Sequence, residues 1–111
     1  MKAKASRLRQ RLEREIEALR ALEGRRSRWG DAWAYHLEGR EILHFHTDHE
    51  IDLRLTRGVI RAERARLAAD SRVRLGDRQR DWVEVSIATA ADLPFVLELV
   101  KWAIRTNRPA R

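Results

Sequence analysis

The sequence predicts an α+β domain, an antiparallel sheet of about five strands with three helices in the order α-β-β-β-α-β-β-α. Three observations predict it. Leucine and isoleucine recur at steps of three and four near the start of the chain, as on one face of a helix. Aromatic and branched residues alternate with polar ones through the middle. The links between alternating segments are too short for anything but hairpins, which forces antiparallel pairing with helices packed on the sheet. A length of 111 residues suits one core.

Residues 6–23 read as the first helix, because Leu8, Leu12, Ile16, Leu19 and Leu22 lie on one stripe of a 3.6-residue period. Ser6 is the expected N-cap and Gly24 the stop. Arg25, Arg26 and Arg28 trail the end, where cations favour the helix dipole. The stripe has two uses. It packs on its own sheet, or Leu8, Leu12, Ile16, Leu19 and Leu22 form a seam with a second copy, giving a homodimer.

Beyond Trp29-Gly30-Asp31 the period changes to two, and Trp33–Leu37, Glu41–Thr47 and Glu50–Leu55 read as strands. Glu38-Gly39-Arg40 and Asp48-His49 supply the turns. A three-residue loop over 48–50 makes the apolar pairing coherent, whereas a two- or four-residue loop would put His44 and His46 on the side of Ile51, Leu53 and Leu55. The three-residue loop sets Leu43 and Phe45 on one face with Ile51, Leu53 and Leu55, leaving His44, His46, Asp52 and Arg54 on the other. His46 then stands opposite Asp52, and His44 opposite Arg54.

Thr56 is the expected cap of a second helix reaching about Ala69, anchored by Val59, Ile60 and Leu67 and interrupted by Glu63 and Arg66. Asp70-Ser71 ends it. Arg72–Leu75 and Trp82–Ile87 form a hairpin around a polar loop, with Val83, Val85 and Ile87 inward. The last helix spans about Asp92 to Thr106, with Leu93, Val96, Leu97, Val100 and Ile104 as its stripe. Pro94 has no N–H to donate and belongs in the first turn, which favours Asp92 over Thr89 as N-cap. The chain thus divides into a basic amphipathic helix and linker (1–28), an α+β domain (29–107) and a tail (108–111).

Charge is dense and polarised. Charged residues make up 37% of the chain, and 21 of its 24 basic residues are Arg. Residues 1–28 carry a net +6, residues 29–55 a net −4 and residues 56–80 a net +5. Without Cys, disulfides and thiolate metal sites are excluded. No apolar run approaches the roughly 20 residues of a membrane span, and a cytoplasmic protein is the expectation.

The stretch from Glu41 to Thr56, Glu-Ile-Leu-His-Phe-His-Thr-Asp-His-Glu-Ile-Asp-Leu-Arg-Leu-Thr, resembles the small prokaryotic luciferase-like domain family. That family's pattern has an acidic residue, two apolar positions, His-x-His, an Asp-Gly turn and an Ile-Asp-Leu-Arg-Leu-Thr strand. Asp81-Trp-Val-Glu-Val85 and Asp92-Leu-Pro-Phe-Val-Leu-Glu-Leu-Val100 are similar to it as well. The likeness spans about residues 30–107, and His49 stands where the family pattern has Gly. The resemblance implies a family and carries no activity over to particular residues; nothing in the sequence supports light emission.

Two constellations bear on chemistry. His44, His46 and His49 interleave with Asp48, Glu50 and Asp52, and imidazole with carboxylate is the ligand set of zinc, iron or manganese. A divalent metal on His44, His46 and Asp52 is one expectation, and ordinary cross-strand pairs on a polar face are the other. Arg57, Arg61 and Arg64 follow each other along the second helix, and Arg72, Arg74, Arg78 and Arg80 crowd the next hairpin. Such a surface fits nucleic acid or an acidic protein surface, although strands stand where a helix-turn-helix needs its first helix. Trp29, Trp33, Trp82 and Trp102 serve the core or, where exposed, stack on a ligand. No Gly-x-Ser-x-Gly elbow, phosphate-cradling glycine loop or dinucleotide fingerprint is present. The leading expectation is a non-enzymatic binding module, with a metal- or small-ligand-binding protein centred on His44, His46 and Asp52 as the alternative. Salt should dissociate the first kind of partner, while chelator and pH should act on the second.

Overall fold

The computed structural model describes residues 6–76 and 80–109. Its elements are α1 (Arg7–Ala18), β1 (Glu23–Arg26), β2 (Trp33–Leu37), β3 (Arg40–Thr47), β4 (Glu50–Arg54), α2 (Arg57–Ala62), α3 (Arg64–Ala68), β5 (Val73–Leu75), β6 (Trp82–Ser86) and α4 (Leu93–Asn107), the last entered through a 3-10 turn at Ala90–Asp92. The strands form one sheet in the order β1-β2-β3-β4-β6-β5, every neighbouring pair antiparallel. The α+β class holds, with one strand and one helix more than the sequence reading. Among the described residues no helix is long and apolar enough to cross a membrane.

The additional strand arises because α1 stops at Ala18, five residues before the predicted end. The N–H groups of Leu19 and Arg20 bond to Ile16 and Glu17, and Arg20 enters the left-handed region at φ 56°. The reversed chain then pairs Glu23–Arg26 with β2. Leu19 and Leu22 keep helical spacing in sequence, but Leu19 is the C-cap and Leu22 lies past the turn. Gly24 is therefore a strand residue rather than a stop. The Trp33 ring lies against it, and a Cβ there would meet Trp33 Cζ2 at 2.8 Å.

One sheet face, with Leu43, Phe45, Ile51, Leu53, Val83 and Val85, is covered by α1 and α4. Leu12 and Ile16 are fully buried there, and Leu8, Leu19 and Leu22 pack at the margin of the same cluster. Within the chain the leucine stripe packs on its own sheet. Among the described residues, α1 packs on the common core and β1 pairs with β2 in the one sheet. Ser6 does cap α1, its Oγ accepting from Arg9 N at 3.1 Å. Asp48, in the β3–β4 turn, accepts from Ser6 N at 2.8 Å and from Arg9 Nη1 at 3.0 Å. The Ser6 N–H, and then the Arg9 guanidinium, hold its carboxyl below the usual carboxylate range.

Two expected caps are replaced. Asp92 does not cap α4; its carboxylate turns back to accept from Ala88 N at 2.8 Å and Thr89 N at 3.0 Å, so the helical path begins after Thr89. The second helix breaks at Glu63 into α2 and α3, where the apolar stripe was interrupted. Thr56 makes no side-chain cap there. It sits at φ 75°, ψ 149°, a region that favours glycine. It is held by Thr56 N to Asp81 O at 2.9 Å, Arg57 N to Asp81 Oδ1 at 2.7 Å and a hydroxyl pair with Thr106 at 3.0 Å.

Two stability predictions follow from this packing. Ile16→Ala should cost about 2–5 kcal/mol, since it leaves a void in the covered face, and urea unfolding measures it. Thr56→Gly should be more stable than Thr56→Ala by about 1–3 kcal/mol, because both lose the hydroxyl and only glycine relieves the backbone. Equal midpoints for the two variants would contradict the strain at this position.

Candidate functional site

The face of the sheet away from the helices carries a polar network, and a bulge in β3 creates it. In a regular strand, residues three apart point to opposite faces. Tyr35 pairs with Leu43 and His36 with Glu41, leaving Ile42 as an extra residue. Ile42 and Leu43 are consequently both buried in the core. Glu41 and His44 emerge together on the other face, His44 Nδ1 lying 3.1 Å from Glu41 Oε2.

The pairing of β3 with β4 sets His44 opposite Asp52, with Nε2 2.7 Å from Oδ2. This corrects the predicted partners. The turn is the two-residue Asp48-His49 with Thr47 opposite Glu50, and a second bulge at His46 absorbs one residue. The register moves by two positions, which changes every pair but leaves each side chain on its predicted face. His46 is exposed, its Nε2 3.9 Å from Glu50 Oε1, and it does not join His44 and Asp52. His49 is tied to the fold, with Nδ1 3.2 Å from the Ile87 carbonyl.

Glu41 anchors the site. Its side chain is fully buried, and burying a carboxylate is costly unless its oxygens are hydrogen-bonded. Ser27 Oγ donates to Oε2 at 2.9 Å and Arg28 N to Oε1 at 3.0 Å, while His36 Nε2 lies 3.5 Å from Oε1. Ser27 Oγ also accepts from Trp29 N at 3.1 Å. These bonds fasten the β1–β2 connection over the sheet and hold Trp29 above His44. The Trp29 ring stands edge-on to His44 at 6.4 Å and to Trp82 at 6.0 Å, and Trp82 lies 5.2 Å from His44. Trp29 is nevertheless 65% exposed. A cleft of about 500 Å3 opens between the rings, with Asp52 and Glu84 at its side and Arg74 and Arg80 on its rim.

The hydrogen bond to Asp52 raises the His44 pKa above the usual 6.5, against the opposing effect of burial, and Glu41 adds to the rise. The imidazolium is thus favoured to a higher pH than in a free side chain. Both ring nitrogens face carboxylates, and Ser27 directs its hydroxyl at Glu41, so no nucleophile–base pair forms on His44. Among the described residues no group of three or more His, Asp or Glu side chains is disposed to hold a metal ion.

The seven predicted surface arginines fall into separate places. Arg72 is bound to Asp70 through Nε and Nη2 and to Asp92 through Nη1, with its guanidinium 3.9 Å from the Phe95 ring centre. It joins β5 to the entry of α4, and its bonds hold the Asp70 carboxyl low. Arg57, Arg61 and Arg64 are exposed on α2 and α3. Arg74 pairs with Glu84 at 3.3 Å and, with Arg80, lines the cleft. Arg78 lies outside the described residues. Glu41 and Ser27 were not among the predicted site residues, and Trp29 and Trp82 were expected only in the core or, where exposed, as stacking residues. The i,i+3 spacing of Glu41 and His44 argues against their meeting unless a bulge is known.

The raised His44 pKa fixes a sign. Its contribution to stability is full below the unfolded pKa near 6.5 and is lost as pH rises through the folded value. Thermal midpoints should therefore fall across that window in the parent chain and flatten in His44→Gln. Asp52→Asn should move the His44 midpoint downward in an NMR titration, because it removes the largest cause of the shift; an unmoved midpoint would discard that cause.

A model of the luciferase domain family matches residues 39–103, from the β2–β3 turn into α4. No curated protein and no solved structure matches the chain. The matched stretch holds Glu41, His44, Asp52 and Trp82 and covers more than half of the sequence, and the chain therefore belongs to the luciferase domain family.

Proposed function

We propose that this protein is a non-enzymatic binding module that takes a planar heteroaromatic ligand carrying a phosphate, a nucleotide or a nucleotide unit of a single strand, in the cleft over His44. The observation that carries the reading is the placement of Trp29. A large indole is held mostly in solvent, fixed through Ser27 to a buried carboxylate, facing Trp82 across an imidazole whose cationic form is favoured. Exposing such a surface forgoes burial worth about 1.5–3 kcal/mol for a large apolar side chain. A stacked base returns about 1–3 kcal/mol per ring.

The rest of the cleft suits the same ligand. Arg80, and Arg74 through the guanidinium nitrogens not paired with Glu84, offer N–H groups to phosphate oxygens. Asp52 and Glu84 provide acceptors for ring or exocyclic N–H groups. His44, engaged at both nitrogens, serves as a rigid charged floor rather than as a proton carrier. Arg57, Arg61 and Arg64, on α2 and α3, would contribute to a nucleic-acid surface only if a strand continued beyond the cleft.

Indole fluorescence titrated with nucleoside monophosphates and with a short single-stranded oligonucleotide tests this. Saturable quenching should weaken at least tenfold in Trp29→Ala, whose exposed position leaves the fold intact. Arg74→Gln with Arg80→Gln should weaken phosphate-bearing ligands about tenfold, leave nucleosides nearly unchanged and reduce the salt dependence. Preference for the oligonucleotide would favour the single-stranded unit. Absence of quenching at millimolar ligand would refute the proposal, as would stoichiometric zinc that survives desalting and disappears in His44→Ala/Asp52→Ala.

A further inference from the structure

A second cavity, of about 400 Å3, lies between the β2–β3 turn, the end of β4 and the C-terminal end of α4, lined by Arg40, Arg54, Thr56, Thr106 and Arg108 with Glu38 at its edge. We propose that it is a binding site for an oxyanion of the phosphate class, independent of the cleft over His44. Its lining includes three arginines and one carboxylate residue. Among the described residues neither Arg40 nor Arg108 has an ion-pair partner. Arg54 is partly engaged, its Nη2 3.7 Å from Asp81 Oδ2.

Arg54 is also held in place. Its Nη1 donates to Asn107 Oδ1, and the Asn107 amide spends both protons on carbonyls, to Arg54 O at 2.7 Å and Ala103 O at 2.8 Å. Asn107 therefore positions the guanidinium and has no donor left for a ligand. The hydroxyls of Thr56 and Thr106 lie 3.0 Å apart. One donates to the other, so one hydroxyl proton of the pair remains free to point at an anion. The carbonyl end of α4 opposes negative charge here, and Arg108, at its C-cap, offsets it.

The backbone is unusual at the same place. The described non-glycine residues with positive φ are Arg20, Glu38 and Thr56, and two of these three line this cavity. Strained residues persist where the surroundings over-determine them, and they gather at ligand sites. A strained turn on one side and a strained strand end on the other present Arg40 and Arg54 to the same space.

The test is a backbone-amide NMR titration of the full chain with inorganic phosphate and, separately, acetate at matched ionic strength. Phosphate should give saturable shifts centred on Thr56 and Thr106, and acetate should bind at least tenfold more weakly. Arg40→Gln with Arg108→Gln should weaken phosphate at least tenfold, and Arg61→Gln with Arg64→Gln, which removes the same charge elsewhere, should leave it unchanged. The same spectra report whether each variant is folded. The site is overturned by non-saturating shifts, by equal weakening in both double variants, or by phosphate shifts confined to Trp29 and Trp82. This last result would leave the cleft standing, whereas phosphate saturation at Thr56 together with no quenching of Trp29 by nucleotides would sink the cleft and keep this site.

Discussion

The outer face of this protein depends on one buried carboxylate. Glu41 has no solvent to satisfy it, so its oxygens must be met by hydrogen bonds from the chain. Those donors come from the β1–β2 connection, at Ser27 and Arg28, and from His44 on its own strand. The requirement therefore orders a connection that would otherwise run freely over the surface, and that connection carries Trp29. Removing the carboxyl would leave Ser27 without its acceptor and His44 without one of its two partners. The cleft is in this sense a by-product of satisfying a buried charge.

Two bulges in β3 decide how the strand is used. The first, at Ile42, sends two consecutive apolar residues inward and brings Glu41 beside His44. The second, at His46, takes up the residue that the short Asp48-His49 turn leaves over. Between them the strand keeps its apolar side toward α1 and α4 while its polar side acquires a hydrogen-bonded chain of Glu41, His44 and Asp52. A bulge re-aims side chains at small cost to the ladder, which is why such irregularities accompany sites.

The polarised charge of the sequence is resolved by long-range pairing. The acidic middle meets the basic start where Asp48 accepts from Ser6 and Arg9. Arg72, from the second basic segment, clamps Asp70 and Asp92 and lies over Phe95. Arginine does both structural and surface work in this chain, because a planar guanidinium can pair bidentately and stack at once. Arg40, Arg80 and Arg108, which pair with no carboxylate among the described residues, line cavities instead.

The sequence by itself determined the α+β class, the inward side of β3, β4, β6 and α4, the Ser6 cap and the membership suggested by the segment around His44. Each of these rests on local periodicity or on a short pattern, and a side-chain period survives whatever the chain does elsewhere. Only the tertiary structure decided that α1 ends at Ala18, that Glu23–Arg26 joins the sheet, that His44 rather than His46 faces Asp52, and that Trp29 stands over them. These outcomes turn on a left-handed residue that ends α1 and on two single-residue bulges that decide which residues pair across the strands. A period of two fixes which face a residue takes; which residue lies across from it is set by turns and bulges that leave no trace in that period.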